Sequence, residues 1–500
     1  MTSARNFGKN QQRTSALNPA PKQANSDSPA PGRRSAITPN INRNILALAL
    51  PALGSLIAEP IFALTDTAMV GHLGASQLAG LGVASTILQT AISLMIFLAY
   101  STTPAVARLL GAGQEKRALQ AGIDGLWFAA ALGAILAGLL AIVALPAIGF
   151  FLPPETGTGI TSDTGNISTT HTSTGTNTTP AAHAASYLFF SLPGVPAMLM
   201  IFAATGVLRG LQDTRTPLYI ALAGFTGNIA LNWVFIYGCN LGVAGSALGT
   251  VVAQWAMLAA FVLVLARRAR RTGASWRPSL AGFRQAGFTG GWLFLRSFWL
   301  RAVGLITLAA AAAHGAQATA VYHIMLALLM FFAFALDSLA IAAQALIGRA
   351  LGADDAGLVQ QILRRCVWWS LVAGLVFAAG LAASAGVLGR VFTSDGAILA
   401  ALPGALLVLA AGLPVQSVVF VLDGVLMGAS DARYLALSGL ANLLLFLPVI
   451  AWVWASSEGR DLAAHAALVT AAYAVWYMFL RLVTLSLRAR SDAWLRLGAL

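Results

Sequence analysis

The sequence predicts an all-α integral membrane protein: twelve transmembrane helices in two six-helix lobes, related by a parallel, pseudo-two-fold duplication. Three observations carry this: the composition, a ladder of apolar segments with asymmetric loop charge, and an internal repeat. Hydrophobic residues make up 58% of the 500-residue chain and charged residues 9%, with mean hydropathy +0.77. A soluble globular protein carries about 25% charged residues. The formal net charge of +13 does not imply a nucleic-acid partner, because membrane proteins gather Lys and Arg in cytoplasmic loops. Cys239 and Cys366 form neither a disulfide framework nor a metal-ligand cluster.

Residues 1–40 are rich in Ser, Asn, Pro and Gln and are expected to form a disordered cytoplasmic tail. A spanning helix needs about 20 mostly apolar residues. Such segments lie near 45–70, 78–107, 121–149, 183–208, 217–238, 243–266, 291–312, 319–347, 366–388, 398–427, 433–455 and 462–487. With the N-terminus inside, the inside loops hold Arg267, Arg268, Arg270, Arg271, Arg364 and Arg365, whereas the outside loops hold only Arg390 and Arg460. That asymmetry fits an even number of spans, both termini cytoplasmic, in the plasma membrane. The N-terminal lobe covers 41–270, a cytoplasmic linker 271–290 and the C-terminal lobe 291–490. The Thr/Ser/Gly/Asn tract at 156–180 reads as a flexible external insertion.

The halves echo one another. GVLRGLQDTR at 206–215 matches GVLMGASDAR at 424–433 in six of ten positions, at an offset of 218. LLGAG at 109–113 matches ALGAD at 350–354, and GASQLA at 74–79 matches GAQATA at 315–320, both at an offset of 241. The offset changes by about the length of the Thr-rich tract. Parallel repeats with a site between the halves are a transporter architecture.

The first segment contains EPIFALTDTAMVGHLG, with Glu59 and Asp66 seven residues, or two helical turns, apart. An intramembrane carboxylate costs roughly 2.5–3.5 kcal/mol on insertion scales, so it usually faces a bundle interior and has a role. Loss of water penalises the charged acid more than the neutral one, which suits a proton carrier. Pro51 and Pro60 each remove a backbone donor and are expected to let this helix bend. At the offset of 241, Asp66 corresponds to Thr307 and Glu59 to Leu300, so cation coupling is expected in the N-terminal half. Asn228 and Asn232 share a helix face, and Gln254 lies in the sixth segment; these amides are the expected partners of the acid, with polar helix–helix contact as their alternative role. In the second half, Arg296 and Arg301 need counter-charges. Asp337 and Asp423 are the candidates, as a fixed ion pair or as substrate-cavity and gating groups. There is no phosphate-binding G-x-x-x-x-G-K-[ST] loop, catalytic constellation or metal-ligand spacing, so neither an enzyme nor a cofactor is expected.

From about 45 to 487 the chain resembles the multidrug and toxic compound extrusion (MATE) family, in its DinF-like branch. The resemblance rests on LALALPALG, EPIFALTDTAMVGHLGASQLAGLGVA, GVLRGLQDTRTPL, GNIALNWVFIYGCNLGVAGSALGT, LDSLAIAAQALIGRALGA and VLDGVLMGASDAR. It implies two lobes around a cavity that opens alternately to each side. It also implies export of drugs or organic cationic or amphipathic metabolites against inward protons or sodium ions, with Asp66 at the cation-linked position; the resemblance favours protons. The alternative is a flippase for a lipid-linked oligosaccharide or cell-wall precursor, for which Arg296 and Arg301 speak. The expected partners are a small-molecule substrate and the lipid bilayer, with the chain a monomer.

Overall fold

A computed structural model describes residues 40–151 and 179–498, which fall within one compact unit. The tail before residue 40 and most of the Thr-rich tract lie outside the described residues. The first lobe comprises α1 (Ile41–Gly71), α2 (Ala75–Leu94), α3 (Phe97–Gly111), α4 (Glu115–Phe151), α5 (Pro180–Ser191), α6 (Gly194–Gly210), α7 (Arg215–Trp233) and α8 (Gly242–Thr272). A π-helical turn, Val234–Gly238, extends α7. The second comprises α9 (Leu280–Ala312), α10 (Ala316–Gly352), α11 (Ala356–Phe392), α12 (Gly396–Gly428), α13 (Ala432–Ala455), α14 (Leu462–Thr470) and α15 (Met478–Arg490), the last two joined by a π-helical stretch, Ala471–Tyr477. Among the described residues, eleven spans are long and apolar enough to cross a membrane, and the bent pair α5–α6 makes twelve.

The ends of these helices follow local side-chain chemistry. Asn40, Thr179, Ser279, Asp355 and Asp395 each accept a backbone N–H in the first turn of the helix that follows, satisfying one of its orphan donors. The ADD run at 353–355 is thus cap chemistry: Asp355 Oδ1 accepts from Leu358 N at 2.8 Å. Because Ser279 caps α9, the connection between lobes shortens to 273–279, and the rest of the expected 271–290 linker is helical. Asp124 of α4 anchors it, accepting from Ser279 N at 2.8 Å and Ser279 Oγ at 2.7 Å.

Pro51 and Pro60 both lie inside α1. α1 runs as one helix through both prolines, whereas the break with a 53° bend lies between α5 and α6, at Leu192–Pro193. A helix interior tolerates a proline when its neighbours stabilise the local backbone.

The lobes meet tightly at the face that carries the arginine-rich loops. There, α3 and α10 cross at matched glycines. A Cβ on Gly111 would collide with the Arg349 carbonyl, and one on Gly352 with the Arg108 carbonyl. These glycines, like the arginines, are 241 positions apart, so the repeat becomes a reciprocal contact across the pseudo-two-fold axis. Each arginine then reaches into the other lobe: Arg108 Nη1 donates to Ala429 O at 3.3 Å, and Arg349 Nη1 to Gln212 Oε1. Arg108 Nε also donates to Gly498 O at 2.7 Å, tying the C-terminal segment over the crossing. Deeper in, Gln344 Nε2 donates to Tyr100 O at 2.8 Å. This face is latched shut.

Candidate cation-coupling site

Asp66 lies near the C-terminal end of α1 and is only 9% exposed. It is enclosed by the bundle and not solvated at the interface. Its Oδ1 accepts from Asn232 Nδ2 of α7 at 2.8 Å and from Ser246 Oγ of α8 at 2.7 Å. Tyr187 of α5 is close enough to feel its charge. A third tie pins the same end of α1: Tyr237 Oη, in the π-helical turn, donates to Met69 O at 2.7 Å. Such turns in helices are frequent at functional sites; this one begins two residues after Asn232.

Glycines make room for this arrangement. A Cβ at Gly249 would occupy the place of Asn232 Oδ1. The amide oxygens of Asn228 and Asn232 are buried and find no hydrogen-bond partner among the described residues. A carboxylate with one oxygen held by two donors carries a proton on the other, Oδ2, without breaking either bond.

The expected partners divide. Asn232 is in the site. Asn228 is one turn away from Asn232 and donates to Thr250 Oγ1 at 3.1 Å, not to Asp66. Gln254 is not brought to the acid: its Nε2 reaches Met198 Sδ of α6 at 3.6 Å. The side chain of Glu59 lies outside the described residues. Ser246, Thr250 and Tyr187 were not singled out from sequence. Ser246 and Thr250 share a face of α8, which is the one signal that pointed there. Thr307, the counterpart of Asp66, is fully buried and bonds its own helix at Val303 O, 2.7 Å away.

The second lobe holds a separate cluster. Arg296 grips Asp423, with Nε on Oδ1 at 3.2 Å and Nη2 on Oδ2. Arg481 of α15 shares the same carboxylate at 3.3 Å; no sequence signal had singled it out. Asp337 forms no salt bridge among the described residues and instead accepts from Tyr100 Oη of α3 at 2.8 Å, across the lobe interface. Arg301 is exposed and pairs with no carboxylate among the described residues.

Two six-span lobes latched at one face, each enclosing a buried carboxylate, have the architecture of a membrane transporter, not of an enzyme. The MatE family model matches residues 51–234 and 293–453, once in each lobe, and the chain belongs to that family of multidrug and toxic compound extrusion transporters. It is 30% identical over 451 residues to Protein DETOXIFICATION 43 of Arabidopsis thaliana, covering 79% of this chain and 82% of that protein. It is 29% identical over 417 residues to DNA damage-inducible protein F of Escherichia coli K12, covering 80% and 85%. Its fold matches the Vibrio cholerae MATE transporter VcmN in the bent form with a TM-score of 0.76 at 20% identity, over 91% of this chain and 98% of that one.

Proposed function

We propose that the chain is a proton-coupled antiporter that exports drugs or organic cationic or amphipathic metabolites, with Asp66 as the proton carrier. The arginine-rich face is taken as cytoplasmic, which puts both termini inside the plasma membrane. The observation that supports this most is the pair of donors on Asp66 Oδ1. Hydrogen bonds to a charged acceptor contribute about 1.5–3 kcal/mol, against about 0.5–1.5 for neutral pairs. Loading a proton on Oδ2 therefore weakens both ties by about 1 kcal/mol each. That loosens the end of α1 from α7 and α8 and lets the lobe rearrange. Return of the charge restores them.

The test uses purified protein in liposomes, with a pH gradient or a sodium gradient imposed one at a time, and follows efflux of ethidium. A pH gradient drives transport in the wild type, and Asp66→Asn abolishes it while keeping an oxygen acceptor in place. Transport driven by sodium alone would replace the proton with sodium at the same site. If Asp66→Asn couples normally, the assignment of Asp66 falls.

A second reading, flipping of an anionic lipid-linked precursor, is favoured by the surplus of guanidinium groups in the second lobe, where Arg296 and Arg481 share Asp423 and Arg301 stands apart. It gains if neither gradient moves the dye and a deletion strain shows cell-wall or capsule defects without drug sensitivity.

A further inference from the structure

A cavity of about 800 Å³ opens at the arginine-rich face, away from Asp66, between the start of α1 and the start of α11. One wall therefore comes from each lobe. Its polar lining is Asn40, Asn42, Gln361, Arg364 and Arg365, with Trp368 at the edge. Arg364 and Arg365 are exposed and have neither an ion pair nor a hydrogen bond among the described residues. The opening turn of α1, capped by Asn40, lies at the same space, and a helix N-terminus carries about half a positive charge. Trp369 Nε1 donates to Asn42 Oδ1 at 3.2 Å, which holds the two walls together.

The direction of α11 identifies the occupant. Arg364, Trp368, Leu371 and Leu375 are spaced at helical intervals along one face. Trp368 and Leu375 are both 53% exposed, and Leu371 is exposed as well. The stripe runs from paired guanidinium groups, through an amphipathic ring of the type found at membrane interfaces, to apolar side chains in the span. It matches, in order, the phosphate, interfacial region and acyl chain of a phospholipid. The chain's own tail is a poor alternative: residues 1–39 hold six Lys or Arg and one Asp, the same sign as the cavity.

We infer that this cavity is a binding site for the headgroup of an anionic phospholipid in the arginine-rich leaflet, which braces α1 against α11 while that face is latched. Basic pockets between spans on the cytoplasmic side bind anionic headgroups. The inference rests on the membrane fold and not on proton coupling, so failure of one leaves the other standing.

The test uses the full-length protein, delipidated in detergent and given phosphatidylglycerol or phosphatidylcholine, with retained lipid read by native mass spectrometry and thermal stability by size-exclusion. The wild type retains phosphatidylglycerol preferentially and gains stability from it. Arg364→Gln with Arg365→Gln lowers retention roughly thirtyfold, whereas Arg270→Gln with Arg271→Gln, at exposed arginines elsewhere on the same face, leaves it unchanged. Trp368→Ala weakens retention severalfold with wild-type elution, which covers the case in which the double variant misfolds. Equal loss in both arginine pairs would reduce the effect to general surface charge and overturn the site. Inorganic phosphate competing as well as the lipid would make it a free-anion site, and lipid binding that emerges only after deletion of residues 1–39 would make the tail its occupant. Either result refutes the inference.

Discussion

Gly352 sits where α10 crosses α3. A Cβ there would overlap the Arg108 carbonyl, with Arg108 C at 2.8 Å and Ala112 N at 3.1 Å. The obstacle is backbone, so no rotamer change relieves it. Gly352→Ala must push the helices apart at the latched face, and overpacking of this kind costs about 1–3 kcal/mol. The contact exists only while the lobes are closed on that side, so the cost falls on the closed state alone. The equilibrium then shifts towards opening at that face by roughly five- to 150-fold. The assay is the rate of thiol labelling at Ala353→Cys, in a background lacking Cys239 and Cys366, with reagent supplied from the arginine-rich side. Labelling rises in Gly352→Ala and in its counterpart Gly111→Ala, whose Cβ would meet Arg349 C at 2.8 Å. Gly82→Ala, where a Cβ meets nothing within 4 Å, is the control and labels as the wild type does. If Gly352→Ala also labels at the wild-type rate, the crossing is not close-packed in the working protein and the latch is wrong.

In the second lobe, Asp423→Asn leaves Arg296 and Arg481 without a carboxylate and lowers stability by about 3–5 kcal/mol. Arg481→Gln keeps the Arg296–Asp423 pair and costs less, and size-exclusion melting curves give that order. At the coupling site, Ser246→Ala removes one donor to Asp66, and Asn232→Ala removes another and leaves a void beside it. Both reduce gradient-driven efflux in liposomes, with Asn232→Ala the more severe. At Asp395, the N–H groups of Ile398 and Ala397 hold the exposed carboxyl below the usual carboxylate range. A depressed folded-state value means the cap contributes fully above the unfolded pKa of roughly 3.9 and loses its contribution as pH falls through the lower folded value. The acid-side drop in melting temperature is therefore smaller in Asp395→Asn.

Legible without the fold were the quantities that bilayer thickness and loop charge enforce. Every apolar segment became helical, because a chain in lipid must satisfy its own backbone hydrogen bonds, although 78–107 and 183–208 each split into two helices and the helices expected from 291 and 366 begin earlier, at Leu280 and Ala356. Asp66 was also legible, since an acid in an apolar helix is costly enough to demand a reason. The repeated LLGAG and ALGAD were legible as repetition, and a family model matching once in each half agrees. The tertiary structure alone decided who meets whom. Helical periodicity states which residues share a face, but not which neighbour that face meets or at what depth. Ser246 and Gln254 lie on the same helix, two turns apart, and only the packing of α1 against α7 and α8 gives Asp66 the first and leaves the second to Met198. For the same reason Arg481, far along the chain, came to share Asp423 with Arg296, while Asp337 went to Tyr100 of the other lobe. The reciprocal glycine crossing required both halves to be folded and docked, because a carbonyl oxygen excludes a side chain only when another backbone has been brought against it.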